Sequence, residues 1–512
     1  MPIKTTLSLI LGMFLCFSTS TFANAPLANT PLTNTSTTET TQSQAEQTAS
    51  QIQVQISSVS DTSITNTSKA SASKAAELTN TDPAKLPANI VAPITNVTGK
   101  KTIVSSAPSK PKNMIIMIGD GMGPAYTTAY RYFKNNPDTE EIEQTVFDRL
   151  LVGMASTFPA SVSGYVTDSA ASATALATGF KTYNGAISID VDKRPLTTIM
   201  EMAKKVGLST GVAVSSQVNH ATPAAFLAHN EHRRNYVQIA EGYLESDADV
   251  ILGGGRKYFS DDLLGEFKAK GYQHITEIEQ LDSITKPKVL GLFADVQLPW
   301  VIDDQEGYKL SSLTKKSLEL LSQNEQGFIL MVEGSLIDWA GHSNDIATAM
   351  GEMEEFANAI EVVEQFVRER QDTLMVVTAD HNTGGLSIGA NGEYEWNPAM
   401  LHDIKASPQK ISEELIAVDN WQQRFNQLIG FEATVEEISS LNSARMQGQQ
   451  QLFKSILQII DTRTNTGWTS LGHTADDVQV FASGPGALLF SGHQDNTEIA
   501  TKMMSLLPKA IN

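Results

Sequence analysis

The sequence predicts an α/β fold, a largely parallel central sheet flanked by helices, with a mainly helical insertion toward its end. The first observation is a set of short apolar runs at 114–118 (MIIMI), 211–214 (GVAV), 328–332 (FILMV) and 373–377 (TLMVV). Runs of this length, bounded by glycine or polar residues, fit strands buried on both faces. The second is the amphipathic texture between them. In 345–370, Ile346, Met350, Met353, Phe356, Ile360, Val363 and Val367 step by 4, 3, 3, 4, 3 and 4, which is one face of a helix. Strands alternating with helices build parallel sheets. The third is that three of the runs end in carboxylates, and in open α/β sheets the carboxyl ends of strands form the ligand crevice.

The N-terminus is read separately. Lys4, the apolar stretch 7–17 (LSLILGMFLCF) and the small residues Ala23 and Ala25 make 1–25 a secretory signal peptide, so the expected location is periplasmic or secreted. Its cleavage removes Cys16, the one cysteine, and leaves a mature chain without disulfides. Residues 26–110 hold no aromatic residue and are rich in Ser, Thr, Ala, Asn and Gln. Such a segment buries too little apolar area to offset chain entropy, so a flexible tether is expected. Within it, 51–56 (QIQVQI) alternates like a strand, although the polar surroundings favour the tether. The catalytic domain is placed at 111–512, with an insertion at about 387–467 read as a lid or dimer element from helical patterns at 412–428 and 436–460.

Composition excludes some functions. The 512 residues carry a net charge of −20, which repels phosphate backbones, so no nucleic-acid-binding surface is expected. Beyond the N-terminus no apolar run approaches the ~18 residues of a membrane span.

The candidate chemistry begins at the strand ends. Asp120 follows the first run, Glu333 the third, and Asp380 with His381 the fourth. Any one acid there could cap a helix or a turn. Three together, one beside a histidine, suit a cation. Asp338 and His342 stand at i, i+4, so both can face one metal, although a surface pair has the same spacing. His220, His342, His381 and His473 are four of nine histidines, and all lie in strand-end or glycine-flanked motifs. Nitrogen and oxygen donors from separate segments suit zinc. Asp168-Ser169-Ala170-Ala171 opens a small-residue stretch that would leave Ser169 at a helix N-terminus, where an anion is favoured. A serine needs a base or a metal to become nucleophilic, and no G-x-S-x-G surrounds this one, so a metal is the better activator. An N-cap reading of Asp168 or Ser169 remains open.

With these residues assembled, the sequence resembles the bacterial alkaline phosphatases, in particular forms with a large insertion before the last histidine ligand. The motifs are IGDGMG (118–123), YVTDSAASATALATG with KTYNGA (165–186), ATPAAFLAH with Arg233, VEGSLID with His342, VVTADH (376–381) and GHT (472–474). The resemblance implies a phosphomonoesterase with a phosphoserine intermediate, phosphate monoesters as substrates, and a homodimer. It implies Ser169 as nucleophile and as ligand of one zinc with Asp120, Asp380 and His381. Asp338, His342 and His473 would hold a second zinc. Asp120, Thr222 and Glu333, with His220 nearby, would hold a third ion, usually magnesium. Arg233 would grip two phosphate oxygens and Asp168 would orient it.

One departure bears on the third ion. Some members carry an Asp and a Lys where this chain has His220 and Trp339. A neutral imidazole removes charge that favours magnesium and offers nitrogen to zinc or cobalt. The third site is therefore expected to be less selective for magnesium, unless His220 only hydrogen-bonds a carboxylate. The competing readings are a phosphodiesterase of the same superfamily, which Thr222 and Glu333 disfavour, and a non-catalytic phosphate-binding surface protein. Gly253-Gly254-Gly255-Arg256 is read as a strand exit. His229, His232, His274, His402 and His493 are read as surface or packing residues. Trp468 lines either the substrate mouth or the core.

Overall fold

The computed structural model describes residues 110–304 and 309–509. The expected signal peptide, and all but the last residue of the expected tether, lie outside the described residues. Eight strands, β1 (Asn113–Gly119), β2 (Leu151–Ser156), β3 (Ser209–Gln217), β4 (Val250–Gly254), β5 (Gln273–Ile275), β6 (Val289–Leu292), β7 (Phe328–Gly334) and β8 (Thr373–Ala379), alternate with helices. Four two-residue strands follow: β9 (Asn382–Thr383), β10 (Ser387–Ile388), β11 (Thr466–Gly467) and β12 (His473–Thr474). β13 (Val478–Ser483) and β14 (Gly492–Asp495) complete the set.

Ten of these form one sheet in the order β14-β2-β13-β8-β1-β7-β3-β4-β6-β5. Every neighbouring pair is parallel except those of β13, which runs antiparallel to β8 and β2. The four runs legible in the sequence are β1, β3, β7 and β8, four adjacent strands at the centre. Their residues are buried throughout, because helices cover both faces of a parallel sheet and leave no side for polar alternation. The edges are less legible: β2 is largely exposed or half-exposed and β5 has three residues.

The long helix is Ile346–Arg370, as the spacing predicts. Asp345 caps it, its Oδ1 accepting from the Thr348 N–H at 3.0 Å, and Gln371 ends it in a left-handed conformation. The insertion is mainly helical, as expected. The patterns at 412–428 and 436–460 are each carried by two helices: Pro408–Ala417 and Trp421–Ile429, then Val435–Gln447 and Gln449–Thr464. Val418 is extended and ends the first. Gly448 separates the last two at φ +111, a conformation that breaks a continuous apolar pattern and that glycine adopts without strain. The glycine-rich segment after β4 is the expected strand exit, with the Gly255 N–H donating to the Ala294 carbonyl at 2.9 Å.

Candidate metal and phosphate site

The register of three strands builds the floor of the site. β1 pairs β7 with Gly119 opposite Gly334, and pairs β8 with Gly119 opposite Ala379. Three parallel strands in step therefore deliver Asp120, Glu333 and Asp380 to one end of the sheet, and all three are fully buried. The chain turns there at Gly121, with φ +72, and its N–H donates to Asp380 Oδ1 at 3.1 Å. A Cβ on Gly121 would lie 2.8 Å from the Asp338 Cα, so only glycine lets the carboxylate loops approach this closely.

Ser169 enters from the helix Ser169–Thr178, all ten of whose residues are buried. Asp168 caps that helix through Oδ1, which accepts from the Ala171 N–H at 3.0 Å, and its Oδ2 accepts from Arg233 at 3.1 Å. The cap and the arginine partner are thus one residue, which resolves the alternative left open by the sequence. Ser169 Oγ lies 3.1 Å from His381 Nε2. That nitrogen is 3.4 Å from Asp120 Oδ1 and 3.3 Å from Asp380 Oδ2, so the four residues expected around the nucleophile are brought together.

The second set comes from the helix Leu336–His342 and from the pairing of β12 with β9, where His473 stands opposite Thr383. His342 Nδ1 donates to the Leu471 carbonyl at 2.6 Å, and His473 Nδ1 donates to the Thr167 carbonyl at 2.8 Å. A carbonyl only accepts, so both Nδ1 atoms carry the proton and both Nε2 atoms keep a lone pair. Those two Nε2 atoms are 3.1 Å apart, beside Asp338 at 3.4 and 3.5 Å. Two lone pairs at this distance need a proton or a metal ion between them.

The third set is Asp120, Glu333 and His220, whose donor atoms lie within 4.8 Å of one another. Thr222 adds a buried hydroxyl beside Glu333. Both oxygens of Asp120 and of Glu333, Asp380 Oδ2 and Thr222 Oγ1 are buried without a hydrogen-bond partner. Orphaned donors in this number would be a heavy desolvation cost in a metal-free protein, and they fit ligands. His220 also meets two neighbours that the sequence did not connect. Arg233 donates to its Nε2 at 3.2 Å, and its ring stands edge-on to Trp339 at 5.9 Å.

Electrostatics follow from burial. Burial, then the charges of Asp380, Asp338 and Glu333, raise Asp120 well above the usual carboxylate range. Burial raises Glu333 to about 7 and Asp380 to about 6. Burial acts on Asp338 in the same sense, but His473, His381 and His342 together hold it well below. Burial lowers His381, and burial with the Arg233 charge lowers His220 to about 3, so both imidazoles are neutral.

Sequence reasoning missed the residues that aim these ligands. Thr383 Oγ1 donates to Asp338 Oδ1 at 2.6 Å and touches His381 Nδ1 at 3.2 Å. Tyr126 fixes Thr383 in turn, its hydroxyl donating to the Thr383 carbonyl at 2.8 Å. The one available signal was the position of Thr383 two residues after His381. Trp468 packs edge-on against Tyr126 at 6.4 Å, and its Nε1 donates to Asp461 at 3.1 Å, so it backs the site. Among the plain histidines, His402 stacks on Phe133 and His229 bridges Ser188 and Glu201, both packing roles.

A family model described as alkaline phosphatase matches residues 111–508. Alkaline phosphatase 4 of Bacillus subtilis is 42% identical over 408 residues, covering 77% of this chain and 88% of that protein. The crystal structure of a cold-active alkaline phosphatase from a psychrophilic Shewanella is 72% identical with a TM-score of 0.77, over 78% of this chain and 100% of that one. The TAB5 alkaline phosphatase, in a histidine-to-aspartate variant with Mg bound in its M3 site, is 29% identical with a TM-score of 0.60, over 78% of this chain and 98% of that one.

Proposed function

The chain belongs to the alkaline phosphatase family, a family of metal-dependent phosphomonoesterases, and on that premise we propose that it cleaves phosphate monoesters through a phosphoserine on Ser169. The observation that carries this reading is Ser169 itself, a buried hydroxyl opening a helix, 3.1 Å from a neutral His381. The positive end of that helix and the Arg233 guanidinium both favour an anion beside it. Asp168 and His220 each take one hydrogen from Arg233, and its planar guanidinium keeps further N–H donors that could grip phosphate oxygens, a geometry lysine lacks.

Asp120, Asp380, His381 and Ser169 would hold one zinc; Asp338, His342 and His473 a second; Asp120, Thr222, Glu333 and His220 a third ion, magnesium, zinc or cobalt. Bound there, divalent cations supply Lewis acidity and neutralise the dianionic ester. Ser169 Oγ attacks phosphorus in line as the bond to the leaving oxygen breaks; the Oγ proton passes to solvent and the leaving oxygen takes one up, so it departs as the alcohol. Water then attacks the phosphoserine, the P–Oγ bond breaks, and Ser169 and inorganic phosphate are regenerated. Two inversions give retention at phosphorus. Throughout, Arg233 fixes the phosphoryl oxygens while Asp168 fixes Arg233.

Arg233→Ala is expected to raise KM and weaken inhibition by inorganic phosphate by about tenfold or more. Occupancy of the two zinc sites should be unchanged, since Arg233 bonds Asp168 and His220 and none of the ligands of those two sites; loss of either zinc would make the residue structural.

His220 decides the third ion. An imidazole between Arg233 and the Asp120–Glu333 pair supplies a neutral nitrogen where an aspartate would supply charge. The double variant His220→Asp, Trp339→Lys should bind magnesium preferentially at the third site and hold phosphate more tightly. Metal analysis after dialysis against mixed magnesium, zinc and cobalt reads the first effect, and phosphate inhibition the second. No change in either would reduce His220 to a hydrogen-bond partner.

The domain reading places the enzyme at 111–512, exported by the signal at 1–25 and carried on the tether. A chain starting at Ser109 should then keep full specific activity; an inactive product would make the 26–110 segment part of the fold. Among the described residues no helix is long and apolar enough to cross a membrane. The homodimer also belongs to this reading, and sedimentation equilibrium checks it.

A further inference from the structure

The mechanism above uses no residue of the loop 181–186 (KTYNGA), yet that loop holds both segments that grip phosphate. Asn184, half-buried, meets the first. Its Oδ1 accepts from the Asp168 N–H at 3.1 Å, and its Nδ2 donates to the Val166 carbonyl at 3.0 Å. An N–H only donates and a carbonyl only accepts, so these two bonds fix which way the amide points. Its own N–H donates to Ser163 Oγ at 2.9 Å. The neighbours of Asn184 meet the second segment. The Gly185 carbonyl accepts from the Arg233 N–H at 2.7 Å, and the Tyr183 hydroxyl donates to the Glu231 carbonyl at 2.9 Å. Ile187 and Asn230 exchange both backbone bonds, each at 2.9 Å.

The loop is itself tied to the body of the fold. Lys181 Nζ donates to Asn496 Oδ1 at 2.7 Å and lies 3.1 Å from Asp495, at the start of the helix Asn496–Leu506. The Thr182 carbonyl accepts from the Ala160 N–H at 2.8 Å. Asp168 and Arg233 stand 65 residues apart and meet through a side-chain bond of 3.1 Å. The anchored loop spans the same gap with backbone and amide bonds on either side. A guanidinium recognises phosphate through directed N–H bonds, so a loose spacing between the two segments costs affinity.

We infer that 183–185 is a strut that sets the spacing between Ser169 and Arg233, and that Asn184 is its positioning residue on the Ser169 side. The inference rests on the phosphomonoesterase reading above and adds residues that act on phosphate without touching it. Asn184 works through Asp168, which it holds by the backbone. Tyr183 works through the segment that carries Arg233.

The test is a double-mutant cycle on metal-loaded full-length proteins: the parent, Asn184→Ala, Arg233→Ala and the double variant. In the parent background Asn184→Ala removes both amide bonds and should weaken inhibition by inorganic phosphate about tenfold. KM for p-nitrophenyl phosphate should rise alike, with kcat within about threefold of the parent. In the Arg233→Ala background the same change should shift phosphate inhibition by less than about twofold, because the grip it serves is gone. Tyr183→Phe removes one hydroxyl on the Arg233 side and leaves the backbone as it is. It should weaken phosphate inhibition about threefold, again only with Arg233 present. That variant decides the inference by itself if Asn184→Ala does not fold. Metal content should match the parent's throughout. Unchanged phosphate inhibition, equal losses with and without Arg233, or loss of metal overturns the inference and leaves 181–186 as a turn of the fold. If the parent hydrolyses no phosphate ester, the catalytic reading fails, and calorimetry of inorganic phosphate on the same proteins then decides the strut. A parent that binds no phosphate overturns both.

Discussion

Ser169→Ala is expected to lower kcat by roughly 10³ or more while the protein still folds and still binds metal and phosphate. Burial and packing support the second half. Ser169 is 1% exposed, and its helix packs through alanines that the substitution leaves alone. Loss of Oγ removes one ligand atom from the Asp120, Asp380 and His381 set and leaves the other three. It also removes the one group there that can accept the phosphoryl group covalently, so residual turnover would require direct attack by water. Rapid acid quench of the parent during turnover should trap phosphoserine at Ser169, and the alanine variant should yield none. An acid quench without phosphoserine in the parent would replace double displacement by a single in-line step.

Chelation is expected to abolish activity and to lower Tm by roughly 10 °C, since each ion at a thousandfold excess over its Kd adds about 4 kcal/mol to the folded state. The pH dependence of the metal-free protein gives an independent check. Its folded state holds Glu333 at about 7, Asp380 at about 6 and Asp120 higher than usual, all raised by burial, whereas unfolded carboxylates titrate near 4. Between those values the folded chain binds more protons than the unfolded one, so stability falls as pH rises. His473 adds to this trend, because Asp338 outweighs burial and raises it. His381 and His220 act the other way, since burial keeps them neutral; they cost stability only below about 6.5, where the unfolded imidazoles gain protons. Asp338 is depressed and acts only in acid. The metal-free protein should therefore melt progressively lower from about pH 6.5 to 8, and the loaded protein should not. A flat metal-free profile, or full activity after exhaustive chelation, would mean that the orphaned carboxylates are not ligands.

The sequence by itself determined the centre of the sheet, the long helix and the chemistry available at the strand ends. The reason is burial. β1, β7 and β8 are covered on both faces, so they read as unbroken apolar runs, and the acids at or just past their ends mark where each strand leaves the sheet. The i, i+4 spacing of Asp338 and His342 and the cap-like Asp168 before Ser169 were legible because both depend on helix geometry, which is local.

Tertiary structure alone decided what lies beyond a few residues of chain. The edge strands β2 and β5 are short or half-exposed and carry no distinctive pattern. The insertion pattern ran through Gly448, whose positive φ splits one expected helix in two. Thr383 acquires its role only because β9 pairs with β12 and brings His473 to it from ninety residues away. His220 was legible as a departure from the family pattern, but its contacts with Arg233 and Trp339 were not, since they join three separate segments. The Phe453–Leu457 pair lies inside the helical pattern that the sequence shows at 436–460. Only packing shows that it fronts a cavity beside His342, because amphipathic spacing fixes which residues share a helix face but not what that face meets.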